Sequence, residues 1–118
     1  ALTDVAERLE KANGELKAAT IWFMNNGLTN PNNIGAGAHH YMHIMGLVAV
    51  GSMWLMMAGA AHKALVAGTG NKAFYEAKLV TARYYAERML PDTGALRRKI
   101  EAGSEAMMAL DPAQFAYA

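Results

Sequence analysis

The residues best suited to chemistry are four histidines: His39, His40, His43 and His62. His39 and His43 stand four residues apart, so on a helix they share a face and could share one metal ion. His40 is their immediate neighbour. His62 cannot join them from the same helix, because 19 residues further on is about 28 Å away. No Asp or Glu lies between Lys17 and Lys63 to complete a ligand set locally. The di-iron pattern Glu-x-x-His is absent from the chain. The sequence also has no cysteine, which excludes thiolate metal sites, a disulfide scaffold and c-type haem attachment. Haem ligation by His and Met stays open on residue types alone. The expected role of the histidines is structural, at a helix end or a loop contact.

The other chemistry-bearing residues are less organised. Glu76 and Glu87 have no paired base or nucleophile beside them and are expected to face solvent. Gly35-Ala36-Gly37 lacks both a preceding strand and the third glycine of a dinucleotide fingerprint. Gly68-Thr69-Gly70-Asn71-Lys72 has the wrong spacing for a phosphate loop, and a helix C-cap followed by an N-cap accounts for it better. Arg97-Arg98-Lys99 reads as a solvated helix face. The methionines read as core filler or contact surface. Tyr84 and Tyr85 are expected at the core boundary, hydroxyls toward polar partners. No residue of the chain is therefore assigned as catalytic, cofactor-binding or metal-ligating.

These residues sit in a chain of 118, enough for one small domain over residues 1–118. Eleven basic residues nearly balance ten acidic ones, so there is no strong field to recruit nucleic acid. A hydrophobic fraction of 53% argues against a disordered chain. The charges are unevenly placed. Residues 18–62 hold no Asp, Glu, Lys or Arg, yet contain every histidine, both tryptophans and six of the nine methionines. The chain starts at Ala1 without methionine, which fits initiator removal or a domain cut from a longer protein.

Four helical patterns account for the sequence. From about Asp4 to Asn26, Leu2, Val5, Leu9, Ala12, Leu16, Ala19 and Phe23 form one apolar stripe. Residues 27–35 read as a loop rich in Asn, Pro and Gly. From about Ala36 to Ala67 no polar face exists. One stripe there is Met42, Met45, Ala49, Ser52, Met56 and Gly59. A second is Ile44, Val48, Gly51, Leu55 and Ala58, and a third is Leu47, Val50, Trp54, Met57 and Ala61. The third helix runs from about Lys72 to Leu90, with Asn71 as its cap. The fourth runs from about Asp92 to Leu110 along Leu96, Ile100, Gly103, Met107 and Leu110. Short connections between four helices give an all-α chain folded as an antiparallel four-helix bundle.

Ile44–Ala61 is free of charge and at the lower length limit for crossing a membrane. Its hydrophobicity is diluted by Gly, Ala and Ser. Only Lys63 flanks it, so no basic cluster orients it. The neighbouring amphipathic helices need a partner for their stripes, so a buried bundle helix is the expectation and a membrane span is not. No apolar segment follows the N-terminus as a signal peptide requires, and the cytoplasm is the expected compartment. An apolar helix without a polar face still needs more cover than three neighbours provide. That cover is expected from a second subunit or from a larger protein.

Two stretches carry a family resemblance. One is Tyr41-Met42-His43-Ile44-Met45-Gly46-Leu47-Val48-Ala49. The other is Phe74-Tyr75-Glu76-Ala77-Lys78-Leu79-Val80-Thr81-Ala82-Arg83-Tyr84-Tyr85-Ala86-Glu87, followed by Met89-Leu90-Pro91. Ala106-Met107-Met108-Ala109-Leu110 with Phe115 also fits. Together they resemble the C-terminal helical extension domain of the acyl-CoA dehydrogenases (the acetyl-CoA dehydrogenase C-terminal-like domain) over about residues 5–115.

The resemblance implies a parent flavoprotein that oxidises an acyl-CoA to the 2,3-enoyl-CoA with FAD as hydride acceptor. It implies that the catalytic glutamate and the main FAD contacts belong to a preceding dehydrogenase core. No position here matches those motifs, so neither Glu76 nor Glu87 takes that role. The chain itself is expected to be inactive, with a structural, assembly or substrate-cavity role beside the core and in a homo-oligomer. The rival readings are a free-standing oligomerising bundle, a metal- or haem-binding bundle using His39, His40 and His43, and a small membrane protein.

Overall fold

The computed structural model describes residues 2–117; Ala1 and Ala118, the ends of the predicted domain, lie outside them. The described chain is all-helical, as the sequence patterns imply. It has α1 (Leu2–Asn26), α2 (Pro31–Ala67), α3 (Lys72–Arg88), α4 (Asp92–Glu101) and a final 3-10 turn over Pro112–Tyr117.

The boundaries follow from local chemistry, and two differ from the sequence expectation. The loop after α1 is shorter than residues 27–35. Pro31 occupies the first turn of α2, where its missing N–H costs nothing and its fixed φ suits a helix. It holds Asn30 in an extended conformation (φ −143°, ψ 96°), from which the Asn30 side chain accepts the Asn32 N–H at 3.1 Å. At the other end, Gly68 caps α2 in the left-handed conformation (φ 70°). Asn71 caps α3 by accepting the Phe74 N–H at 3.3 Å.

The second difference is α4, which stops at Glu101 and does not run to Leu110. Gly103 turns the chain with φ 72°. Asn33 of α2 then holds the turn: its Oδ1 accepts the Ser104 N–H at 2.9 Å and the Ser104 hydroxyl at 2.8 Å. Asn33 Nδ2 also donates to the Asn26 carbonyl at the end of α1, 3.1 Å away. Met107 and Leu110 therefore leave the predicted stripe and are exposed. Substituting Asn33 by alanine would strand the buried Ser104 donors. A loss of about 1–3 kcal/mol is expected, checked as a lower urea midpoint.

Helix α2, 37 residues long, spans about 55 Å and is the spine. Helices α1, α3 and α4 all pack on it, and α1 also touches α3 and α4. The core joins Val5, Ala12 and Ala19 of α1 to Ile44 and Val48 of α2, with Ala86, Leu90 and Ile100 closing it. Alanines at these crossings let backbones approach closely. Between α1 and α2, Thr20 donates its hydroxyl to the Leu16 carbonyl, so at 2.6 Å it is Tyr41 that donates to Thr20. The radius of gyration is 19.4 Å, against about 13.5 Å for a compact chain of this length. The helices lie as an elongated slab, 68 × 30 × 16 Å, that leaves one side of its longest helix uncovered.

Candidate interaction surface

The inner face of α2 is the second predicted stripe: Ile44, Val48, Gly51 and Ala58 are buried, and Leu55 packs against the core. The first stripe points away. Met42 is 61% exposed and Met56 69%, with Met45 and Ala49 also exposed and Ser52 and Gly59 half-buried; Met53 (59%), which lies in none of the three stripes, and Val50 and Met57 of the third join this face. The third stripe is split, with Ala61 buried, Leu47 and Trp54 half-buried, and Val50 and Met57 outside. The uniformly apolar helix is thus covered on one face and bare on the other. Exposed apolar area of this continuity marks a contact surface.

Beside the bare face, α2 and α3 leave an almost wholly apolar groove of about 470 Å3, lined by Met42, His43, Gly46, Leu47, Val50, Tyr85 and Met89. The Tyr85 ring forms its floor and donates its hydroxyl to the Leu47 carbonyl at 2.6 Å. Burial pushes the Tyr85 phenol up from its ordinary value. Tyr85 thus has the predicted boundary position, whereas Tyr84 is 60% exposed. By length and composition, α2 is also the one described helix apolar enough to cross a membrane.

Three of the four histidines cluster near the start of this helix, and His62 lies exposed near its other end, apart from them. The His39 and His43 rings lie 4.3 Å apart, and His39 and His40 5.6 Å apart. His43 Nδ1 is 2.9 Å from the His39 carbonyl. A carbonyl only accepts, so Nδ1 carries the proton and Nε2 is the free acceptor. The predicted i,i+4 pair is therefore brought together, but no third ligand joins it. Among the described residues, no group of three or more His, Cys, Asp or Glu is placed to hold a metal.

Lys99 of α4 and the two neighbouring imidazoles face His40. Partial burial first, then Lys99, His39 and His43, hold its pKa below the ordinary value of 6.5. The unfolded chain then takes up this proton more readily than the folded one. Stability is complete above the unfolded value and falls as pH drops through it. The urea midpoint is expected to decline between pH 7.5 and 5.5, and His40→Gln is expected to flatten that decline.

The remaining candidates are accounted for by structure. Glu76 sits 3.7 Å from Lys72 and Glu87 2.7 Å from Arg83, both within their own helix. Neither glycine-rich stretch forms a phosphate cradle. The space a Cβ would take at Gly70 is filled by the Tyr75 hydroxyl, 2.7 Å away, and Gly37 packs on Phe23. The basic run is not uniformly solvated. Arg97 is half-buried and reaches Glu15 of α1 at 3.0 Å and Glu101 at 3.6 Å. Arg97 Nε and Glu15 Oε2 are buried and pair as charges without hydrogen-bond alignment. Nothing in the sequence singled out this link between α1 and α4, because the partners are 82 positions apart.

Comparison with known proteins adds a second line of observation. A family model described as "Acetyl-CoA dehydrogenase C-terminal like" matches residues 1–111. A broad-specificity linear acyl-CoA dehydrogenase of Mycobacterium tuberculosis is 32% identical over 117 residues, which is 98% of this chain. The chain spans 18% of the length of that relative.

Proposed function

The chain belongs to the acetyl-CoA dehydrogenase C-terminal-like family, and we propose that it is the C-terminal domain of an FAD-dependent acyl-CoA dehydrogenase. Such an enzyme oxidises an acyl-CoA to the 2,3-enoyl-CoA, a step of fatty acid metabolism. The supporting observation is a match along nearly the whole chain to a relative more than five times as long, whose name carries this activity. Residues 1–118 form one domain, with the four helices arranged as an antiparallel bundle.

The role of this domain is structural: assembly on the dehydrogenase core, formation of a homo-oligomer, or walling of the substrate cavity. It supplies no catalytic residue, and alone it is inactive. Three of its glutamates pair with cations of the same chain, Glu76 with Lys72, Glu87 with Arg83 and Glu15 with Arg97. FAD is held by the preceding core, and no residue of this chain is assigned to it. The glycine turn at Gly68–Gly70 caps helices and is filled by Tyr75, which does not fit a dinucleotide. The enzyme works in the cytoplasm, and this domain engages neither nucleic acid nor membrane.

Expression of the complete coding region tests this reading. A yellow protein with a flavin spectrum that is bleached by a linear acyl-CoA is expected. A colourless protein, inert toward acyl-CoA, would leave a free-standing interaction bundle in its place.

A further inference from the structure

We propose that the outward face of α2 is the docking surface for the dehydrogenase portion of the same polypeptide, with Gly46 as the point of closest approach. This rests on the reading of the chain as a C-terminal domain and adds to it the surface and the partner. The first observation is the face itself. From Met42 to Met56 it runs about 21 Å without a charge, and Met42, Met45, Met53 and Met56 stand out of the slab. Unbranched, polarizable methionines adapt to an irregular partner.

The second observation is Gly46. Glycine is a poor residue for a helix interior. At Gly37 and Gly51 it is explained by side chains of this chain that a Cβ would meet at 2.8 and 3.0 Å. Gly35, Gly46 and Gly59 meet no side chain or neighbouring element within 4 Å of the Cβ position, and of these three Gly46 is the one that lies in the apolar groove beside Met42 and Val50. The missing side chain leaves a notch into which an outside group can press against the α2 backbone.

The length of polypeptide beyond this domain in the relative selects the occupant. Lipid is disfavoured by the opposite face. Ile44, Val48 and Ala58 hold α1 and α3, whose outer sides carry Asp4–Arg8 and Arg83–Glu87. Those pairs would have to enter hydrocarbon with α2. A long stretch of polypeptide beyond this domain is what the relative's length provides.

The test is methionine oxidation by hydrogen peroxide in the full-length polypeptide, folded and urea-unfolded, read by peptide mass spectrometry. Met42, Met45, Met53 and Met56 are expected to oxidise at least tenfold more slowly in the folded protein. Gly46→Leu is expected to raise the rates at Met42 and Met53 at least threefold. Gly14→Leu, which also meets no atom within 4 Å, is expected to leave them unchanged.

Rates within twofold of the unfolded ones, in a protein with its flavin spectrum intact, would overturn the docking surface and leave the parent reading standing. A colourless polypeptide would remove both. Protection lost on dilution would assign the face to a second copy. Protection gained only with vesicles of phosphatidylcholine and phosphatidylglycerol would assign it to lipid. Either result overturns the proposal. Equal effects of Gly46→Leu and Gly14→Leu would remove Gly46 from it.

Discussion

Replacing Ile44 by alanine is expected to destabilise the chain by about 3 kcal/mol, within the range of roughly 2–5 kcal/mol for such truncations. Ile44 is fully buried, and it and Ile100 are the largest fully buried side chains among the described residues. The fully buried neighbours are mostly alanine and valine, and larger side chains such as Phe23, Tyr41 and Leu55 pack only at the edge of this core, so the cavity refills in part. The measurement is urea unfolding, with a lower midpoint at unchanged slope. The comparison that gives the result meaning is Met56→Ala, one helix face away. Met56 is 69% exposed, so its truncation is expected to shift stability by no more than about 0.5 kcal/mol. Equal losses at the two positions would mean that α2 is not one-sided.

The second large effect is expected at Gly51. A Cβ there would lie 3.0 Å from Leu9 Cδ1, 3.2 Å from Leu90 Cδ2 and 3.3 Å from Tyr85 Cε1. These atoms belong to α1, the α3–α4 corner and α3, so Gly51 is where three neighbours converge on the spine. Gly51→Leu places three further carbons beyond that crowded Cβ. A cost of about 3 kcal/mol is expected, at the upper end of overpacking penalties. The same substitution at Gly14, where nothing lies within 4 Å, is expected to gain about 0.5–1 kcal/mol from helix propensity alone. Opposite signs at the two glycines, read from urea midpoints, would establish Gly51 as a packing position.

These two positions show how far the sequence could be read. Ile44 and Gly51 belong to one predicted stripe, and the period of 3.6 residues was enough to group them. Which of the three α2 stripes faces inward could not be read, because all three are apolar and hydrophobic patterning discriminates only when one face is polar. The end of α4 was misplaced for a related reason. Met107 and Leu110 continue the spacing of Leu96 and Ile100, but Gly103 in the left-handed region and the Asn33–Ser104 hydrogen bonds break the helix first. Contacts 71 residues apart leave no local signal. The loop before α2 is shorter than its Asn, Pro and Gly content suggests because Pro31, at the first helical position, starts the helix. The histidine pair was visible as a pattern, and its lack of acidic neighbours was already evident between Lys17 and Lys63.

The bare α2 face connects this fold to its function. Inside the slab, α2 gives α1, α3 and α4 a common surface, and most of its methionines contribute little to that packing. A contiguous exposed apolar face of this extent marks a contact surface. In the proposed enzyme, that surface meets the dehydrogenase core.

The most direct measurement begins with the full-length polypeptide carrying a protease site immediately before Ala1. It is folded, cleaved at that site and passed over a gel-filtration column. The account predicts that the piece beginning at Ala1 stays with the flavin-containing remainder as a one-to-one complex, and that Met53→Glu on the α2 face releases it. Elution of the cleaved piece alone, with the remainder still oxidising linear acyl-CoA at the full rate, would contradict it.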